Sequence, residues 1–165
     1  MTSGVSPPNT PSRPASGDGA ARRSLVVLGL AAIPWSVQTF PGGAVTFLFP
    51  WGLVTVPPVH VTTLYGYLFV HTVGLPDYIL AWPTSVALYA LALASALVGR
   101  LVGREDPRVT GGLLVLVGVA QLSLAWGFTV QPGRIAWPTG TLACWAVAWW
   151  LYAPLVRVPS GHRAS

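Results

Sequence analysis

The chain has 165 residues, 53% of them hydrophobic and only 8% charged, with nine arginines, no lysine and a formal net charge of +5. A water-soluble domain of this size needs far more charge to cover its surface, so the composition excludes that class and points to a membrane protein. The positive charge is split into +2 over residues 1–23, +1 over 100–108 and +2 over 157–165, with Asp77 balancing Arg134 elsewhere. That is too dispersed to track a phosphate backbone, which excludes nucleic acid as a partner.

Residues 1–23 carry Pro7, Pro8, Pro11 and Pro14 among Ser, Thr and Gly, and are expected to form a disordered cytoplasmic tail. Arg22-Arg23-Ser24-Leu25 could open a twin-arginine export signal, but no small-x-small cleavage site follows Ile33, so the pair reads as a cationic anchor before a first span. That span, 24–40, is interrupted by Pro34. At helical rise it covers roughly 25 Å, which is marginal against a hydrocarbon core of ~30 Å. Longer spans are expected at 83–101, 109–130 and 138–156, joined by turns around 104–107 and 131–134 that force antiparallel neighbours. Four crossings place Arg13, Arg22, Arg23, Arg100, Arg104, Arg108, Arg157 and Arg163 on one side and Arg134 alone on the other. Cationic side chains stay in the cytoplasm during insertion, which sets both termini inside. The expected fold is an all-α integral membrane protein of the cell membrane: a four-transmembrane-helix bundle occupying 24–157, followed by a short cytoplasmic tail, 158–165.

The segment 41–82, between helices 1 and 2, is expected to be an amphipathic or re-entrant cap on the outer face. Val45, Phe47, Phe49 and Trp51 alternate as an extended strip would. After Pro57-Pro58, residues Val61, Leu64, Tyr65, Leu68, Thr72 and Leu75 share one helical face. Reading 43–56 and 59–75 as spans would give six crossings, but both are short and bounded by prolines. Leu80-Ala81-Trp82-Pro83-Thr84 recurs as Ile135-Ala136-Trp137-Pro138-Thr139, and each copy opens a span with proline in its first turn. A shared helix-start signal explains this echo better than duplication does. Trp51, Trp82 and Trp137 are the expected anchors at the membrane interface.

Four stretches carry a resemblance: Thr46-Phe47-Leu48-Phe49-Pro50-Trp51-Gly52-Leu53-Val54, Thr62-Thr63-Leu64-Tyr65-Gly66-Tyr67-Leu68-Phe69, Leu80-Ala81-Trp82-Pro83 and Arg104-Glu105-Asp106-Pro107-Arg108-Val109-Thr110. Through them the chain resembles a family of small, uncharacterised multi-pass membrane proteins of haloarchaea, over about residues 24–152. The resemblance implies location and architecture, and transfers no catalytic residue.

Residues able to perform chemistry are sparse. Gln38 and Gln121 are the strong amides within the spans, and Asp, Glu, Lys, Arg and His are missing mid-span, which disfavours ion-coupled transport. His60, His71 and Asp77 lie in the outer segment. On one helix the two histidines would stand roughly 16 Å apart, too far for one metal ion. Cys144, as the single cysteine, excludes an internal disulfide. Ser95, Gly99 and Gly103 form one stripe of small residues, and Gly140, Cys144 and Ala148 another, at the spacing that lets membrane helices approach closely. The expectation is a non-catalytic structural or accessory component of a membrane complex, with no cofactor. Its expected partners are the lipid bilayer and another membrane protein or a second copy. The alternatives are a passive pore lined by Gln38 and Gln121 or, more remotely, a membrane enzyme using His60, His71 and Asp77.

Overall fold

The computed structural model describes residues 17–70, 74, 76–130 and 132–156. Helix α1 (Gly17–Gly29) opens with Asp18 in its first turn, where a negative charge complements the helix dipole. It ends five residues before Pro34, and the chain turns through Leu30 to Ala32 with i to i−3 hydrogen bonds. Trp35 then donates its amide to Leu48 O at 2.6 Å, and the backbone becomes extended.

Four antiparallel strands follow: β1 (Ser36–Thr39), β2 (Val45–Phe49), β3 (Gly52–Val56) and β4 (His60–Thr63). They are rich in Val, Thr and Phe, whose branched or aromatic side chains suit a pleated surface. Gly43, at φ 81°, turns β1 into β2, and Pro50-Trp51 links β2 to β3. Gly52 is forced by contact, because a Cβ there would sit 2.5 Å from Thr62 O on β4. A fifth strand, β5 (Ile135–Trp137), arrives from the far end of the chain and pairs with β1, giving the order β4-β3-β2-β1-β5.

Beyond β4 lie a π turn (Gly66–Val70) and a 3-10 turn (Asp77–Leu80) that runs into α2 (Ala81–Val102). Gly103, in the left-handed region at φ 72°, ends α2. Asp106 starts α3 (Pro107–Thr129) by accepting the Arg108 amide at 2.9 Å, with proline in the first turn. After β5 come α4 (Thr139–Val147), a π turn (Ala148–Tyr152) and the short α5 (Ala153–Val156). One core cluster joins the helices through Val27, Trp35, Tyr89, Leu114, Val117 and Cys144. A second joins sheet to helices through Leu48, Trp82, Leu124, Ala125, Phe128 and Ala136.

The fold is therefore mixed α and β, and the expected all-α four-transmembrane-helix bundle is wrong. Among the described residues only Asp77–Val102 and Pro107–Thr129 are helices long and apolar enough to cross a bilayer. The expected span 24–40 fails because its second half satisfies its backbone in β1, flanked by β2 on one side and β5 on the other. The span 138–156 is helical over 139–156, as α4, a π-helical stretch and α5 in unbroken succession. The first half of the outer segment 41–82 is sheet, in place of a strip lying on an apolar surface; helical turns follow at 64–70 and 77–82, and residues 71–73 and 75 lie outside the described residues. Residues 17–23, expected in the tail, form the start of α1; residues 1–16 and 157–165 lie outside the described residues.

Candidate functional site: a cavity between the sheet and the helix ends

Strand register decides which side chains meet. Ala136, Gln38, Thr46, Thr55 and His60 stand opposite one another across all five strands, so they form one transverse row on a single face. Ser36, Leu48, Leu53 and Thr62 form the next row on that face. Two positions along from Gln38 and Ala136, Phe40 and Arg134 continue the alternation. This face covers Ile79 of the 3-10 turn, Trp82 at the start of α2, Phe128 at the end of α3, and Tyr67. Between them lies a half-open cavity of about 380 Å³.

The walls divide by chemistry. Leu48, Leu53, Ile79, Trp82 and Phe128 form the apolar part. Trp82 is 1% exposed, donates its indole N–H to Phe49 O at 3.1 Å and meets Tyr67 edge-on at 5.5 Å between ring centres. In the polar part, the Thr46 and Thr55 hydroxyls bond to each other at 3.0 Å. Gln38 is 3% exposed, and its amide nitrogen is buried without a hydrogen-bond partner. Arg134 is half-buried, with its guanidinium carbon 4.9 Å from the centre of the Phe40 ring. Among the described residues no carboxylate pairs with it; the ion pair found is Arg23 to Glu105, between α1 and the α2–α3 turn. Burial pushes the Tyr67 phenol above its ordinary pKa, Tyr78 adds to the shift, and Arg134 opposes it. Tyr67 thus stays protonated at neutral pH. Among the described residues no Asp or Glu lines the cavity, so its polar end is cationic and rich in donors.

The sequence-derived candidates separate. Gln38 and His60 share the cavity row, with His60 exposed on the outer strand β4. Asp77 is exposed at the start of the 3-10 turn, and His71 lies outside the described residues. Among the described residues no three His, Cys, Asp or Glu side chains gather as a metal site requires. Gln121 is fully buried in α3, where its amide nitrogen donates to Ser85 Oγ at 2.6 Å. Trp51 is 48% exposed and stacks on Phe49, and Trp137 is exposed, whereas Trp82 is a core residue.

The small residues also divide. A Cβ on Gly99 would meet Glu105 Cα at 2.5 Å, and one on Gly140 would meet Trp35 Cα at 2.8 Å, so each glycine admits a connecting segment against a helix. Ser95 bonds Thr110 at 2.9 Å, Cys144 and Ala148 are buried, and Gly103 is the terminator of α2. Thr46, Thr55, Tyr67 and Arg134 are not among the site residues expected from the sequence. For Thr46 the available signal was the alternation along 45–49, whose even positions, Thr46 and Leu48, face the cavity.

A comparison with curated proteins found no match. A family profile matches residues 3–160, nearly the whole chain, and on that match the chain belongs to the family described as a domain of unknown function, DUF8050.

Proposed function

We propose that the chain is an integral membrane protein of the cell membrane that serves as a non-catalytic accessory component of a membrane complex, with its sheet and cavity on the outer face. The observation that carries this reading is the surface of the two longest helices. Only 28% of the most apolar window of the α2 region and 39% of that of α3 are buried within the protein. Leu91, Val98, Leu101, Leu116 and Val119 point outward, with no charged side chain between Trp82 and Gly99 or between Val109 and Thr129. A core helix of a water-soluble protein would bury most of that surface; a continuous apolar exterior suits lipid. Arg22, Arg23, Arg100, Arg104 and Arg108 gather at one end and Arg134 lies at the other, which orients the first end toward the cytoplasm. The resemblance to haloarchaeal multi-pass proteins supports the same location.

The accessory role rests on the sheet face turned away from the cavity. Val37, Phe47, Val54, Val61 and Trp137 form one row across it, with Val61 and Trp137 more than half exposed. A partner membrane protein would remove this row from water. The cavity, with no acid–base carboxylate in its lining, supports binding over catalysis.

The test uses single cysteines in a Cys144→Ala background. Asp77→Cys is expected to react with an impermeant thiol reagent in intact cells, and Arg104→Cys only after permeabilisation, while the protein resists extraction by alkaline carbonate. Release by carbonate, or equal labelling of both sites, refutes membrane embedding. A photo-crosslinker at Val61 in native membranes is expected to give one discrete protein adduct, and one at Leu91 only lipid adducts; no adduct at Val61 refutes the accessory role.

A further inference from the structure

We infer that the cavity between the sheet and the outer ends of α2 and α3 binds an organic monoanion, a molecule with an apolar body ending in a carboxylate. The Gln38 amide nitrogen is the first ground. It is buried in the cavity wall, two hydrogens lack acceptors, and a native protein rarely keeps such a group without a reason. Arg134 is the second. It stands two positions further along the same sheet face, with its guanidinium carbon 4.9 Å from the centre of the Phe40 ring, a cation–π contact that holds the charge at this end of the cavity. A half-buried guanidinium with no carboxylate beside it among the described residues attracts an anion. The lining supplies no competing negative charge.

The rest of the cavity sets the body of the ligand. Leu48, Trp82 and Phe128 line the part nearest the helices, so the molecule would lie with its apolar portion toward them and its carboxylate toward Gln38 and Arg134. One guanidinium and one amide match a single negative charge. The volume of about 380 Å³ falls at the small end of ligand pockets, which run from about 300 to 1,000 Å³. Such a molecule could come from water or from the bilayer, since the chemistry is shared. This inference goes beyond membrane residence and is independent of it: failure to bind would leave the carbonate and labelling results untouched.

The test is calorimetric titration of the full chain in phosphatidylcholine nanodiscs, with empty nanodiscs as the blank. The probes are 4-phenylbutyrate, as a water-borne carboxylate, and decanoate, as a lipid-borne one; 4-phenylbutanamide and decanamide are the neutral controls. Saturable 1:1 binding is expected for at least one carboxylate, and which one binds reports the source. A hydrogen bond to a charged group is worth enough that Gln38→Leu, Arg134→Gln and the matching amide should each weaken binding by about tenfold or more. Ile135→Ala, on the opposite sheet face, should leave affinity unchanged, and the variants' melting temperatures show that they are folded. No saturable binding by either carboxylate, an amide that binds as tightly as its acid, or wild-type affinity in Gln38→Leu or Arg134→Gln overturns the inference.

Discussion

Gln38→Leu should stabilise the unliganded protein, the reverse of what removing a buried polar residue from a satisfied network does. Leucine is close to glutamine in volume, and Gln38 is only 3% exposed, so the replacement fills the same space. What it removes is an amide nitrogen that is desolvated by folding and bonded to nothing. An unsatisfied buried group of this kind costs about 1–3 kcal/mol, and an apolar replacement of the same shape avoids that cost. The introduced side chain would also adjoin Leu48 on the neighbouring strand and face the Trp82 and Phe128 wall, adding apolar contact. For a domain of this length each kcal/mol moves the melting temperature by about 2–4 °C, so a rise of several degrees is expected. The assay is thermal unfolding of the two proteins side by side in one detergent, read by tryptophan fluorescence, without added carboxylate. A melting temperature lowered in Gln38→Leu would show that the amide is satisfied, and would refute both this reasoning and the role given to Gln38 in the cavity.

Gly99→Leu and Gly140→Leu should each destabilise by about 3 kcal/mol or more, since even a Cβ would overlap Glu105 or Trp35 backbone, while Gly112→Leu, with open space around it, should be near neutral in the same melting assay. Arg23→Met should strand the Glu105 carboxylate, whose side chain is 5% exposed, at a cost near the lower end of about 3–5 kcal/mol because Arg23 itself is 23% exposed. Pairing it with Glu105→Met should recover most of that loss, and equal melting temperatures for the single and double variants would show that the stranded carboxylate carries no penalty and would refute this reasoning.

How much of this was legible depended on how far apart the partners lie in the chain. The α2–α3 hairpin was readable to within about two residues, because its periodic apolar runs, the Asp106-Pro107 start and the Gly103 stop are all local signals. The sheet was not read, although its material was in view: Val45 to Phe49, Leu53 to Val56 and Val61 to Thr63 are rich in β-branched residues, and short turns separate them. The alternation of Val45, Phe47, Phe49 and Trp51 predicts an extended strip lying on an apolar surface, whereas Val45 to Phe49 find their hydrogen-bonding partners in the adjacent strands. β1 was the least accessible. Ser-Val-Gln-Thr is four residues inside an apolar stretch, and its pairing with β5 joins segments about a hundred residues apart. The apolar stretch therefore places Gln38 in a span, and the cavity is not visible in the sequence, because it exists only once four strands align Gln38, Thr46, Thr55 and His60.

That displacement of Gln38 from a helix to a strand also bears on the pore reading. A wet path through the protein would need Gln38 and Gln121 to share it. Leu48, Trp82, Leu124, Ala125 and Phe128 form a dry cluster where the sheet meets the helix ends, and Gln121 lies about one helical turn along α3 from Leu124, on the side away from Phe128. Its amide nitrogen is held by Ser85, which in turn donates to Trp82 O at 2.6 Å, and its amide oxygen is buried with no partner. An interhelical bond of this kind ties α2 to α3, and a full set of water contacts would be expected if the glutamine lined a channel. The two glutamines thus take different roles set by one physical difference. Gln121 meets a neighbouring helix that offers a hydroxyl, whereas Gln38 belongs to the cavity lining and its buried amide nitrogen has no acceptor within the protein.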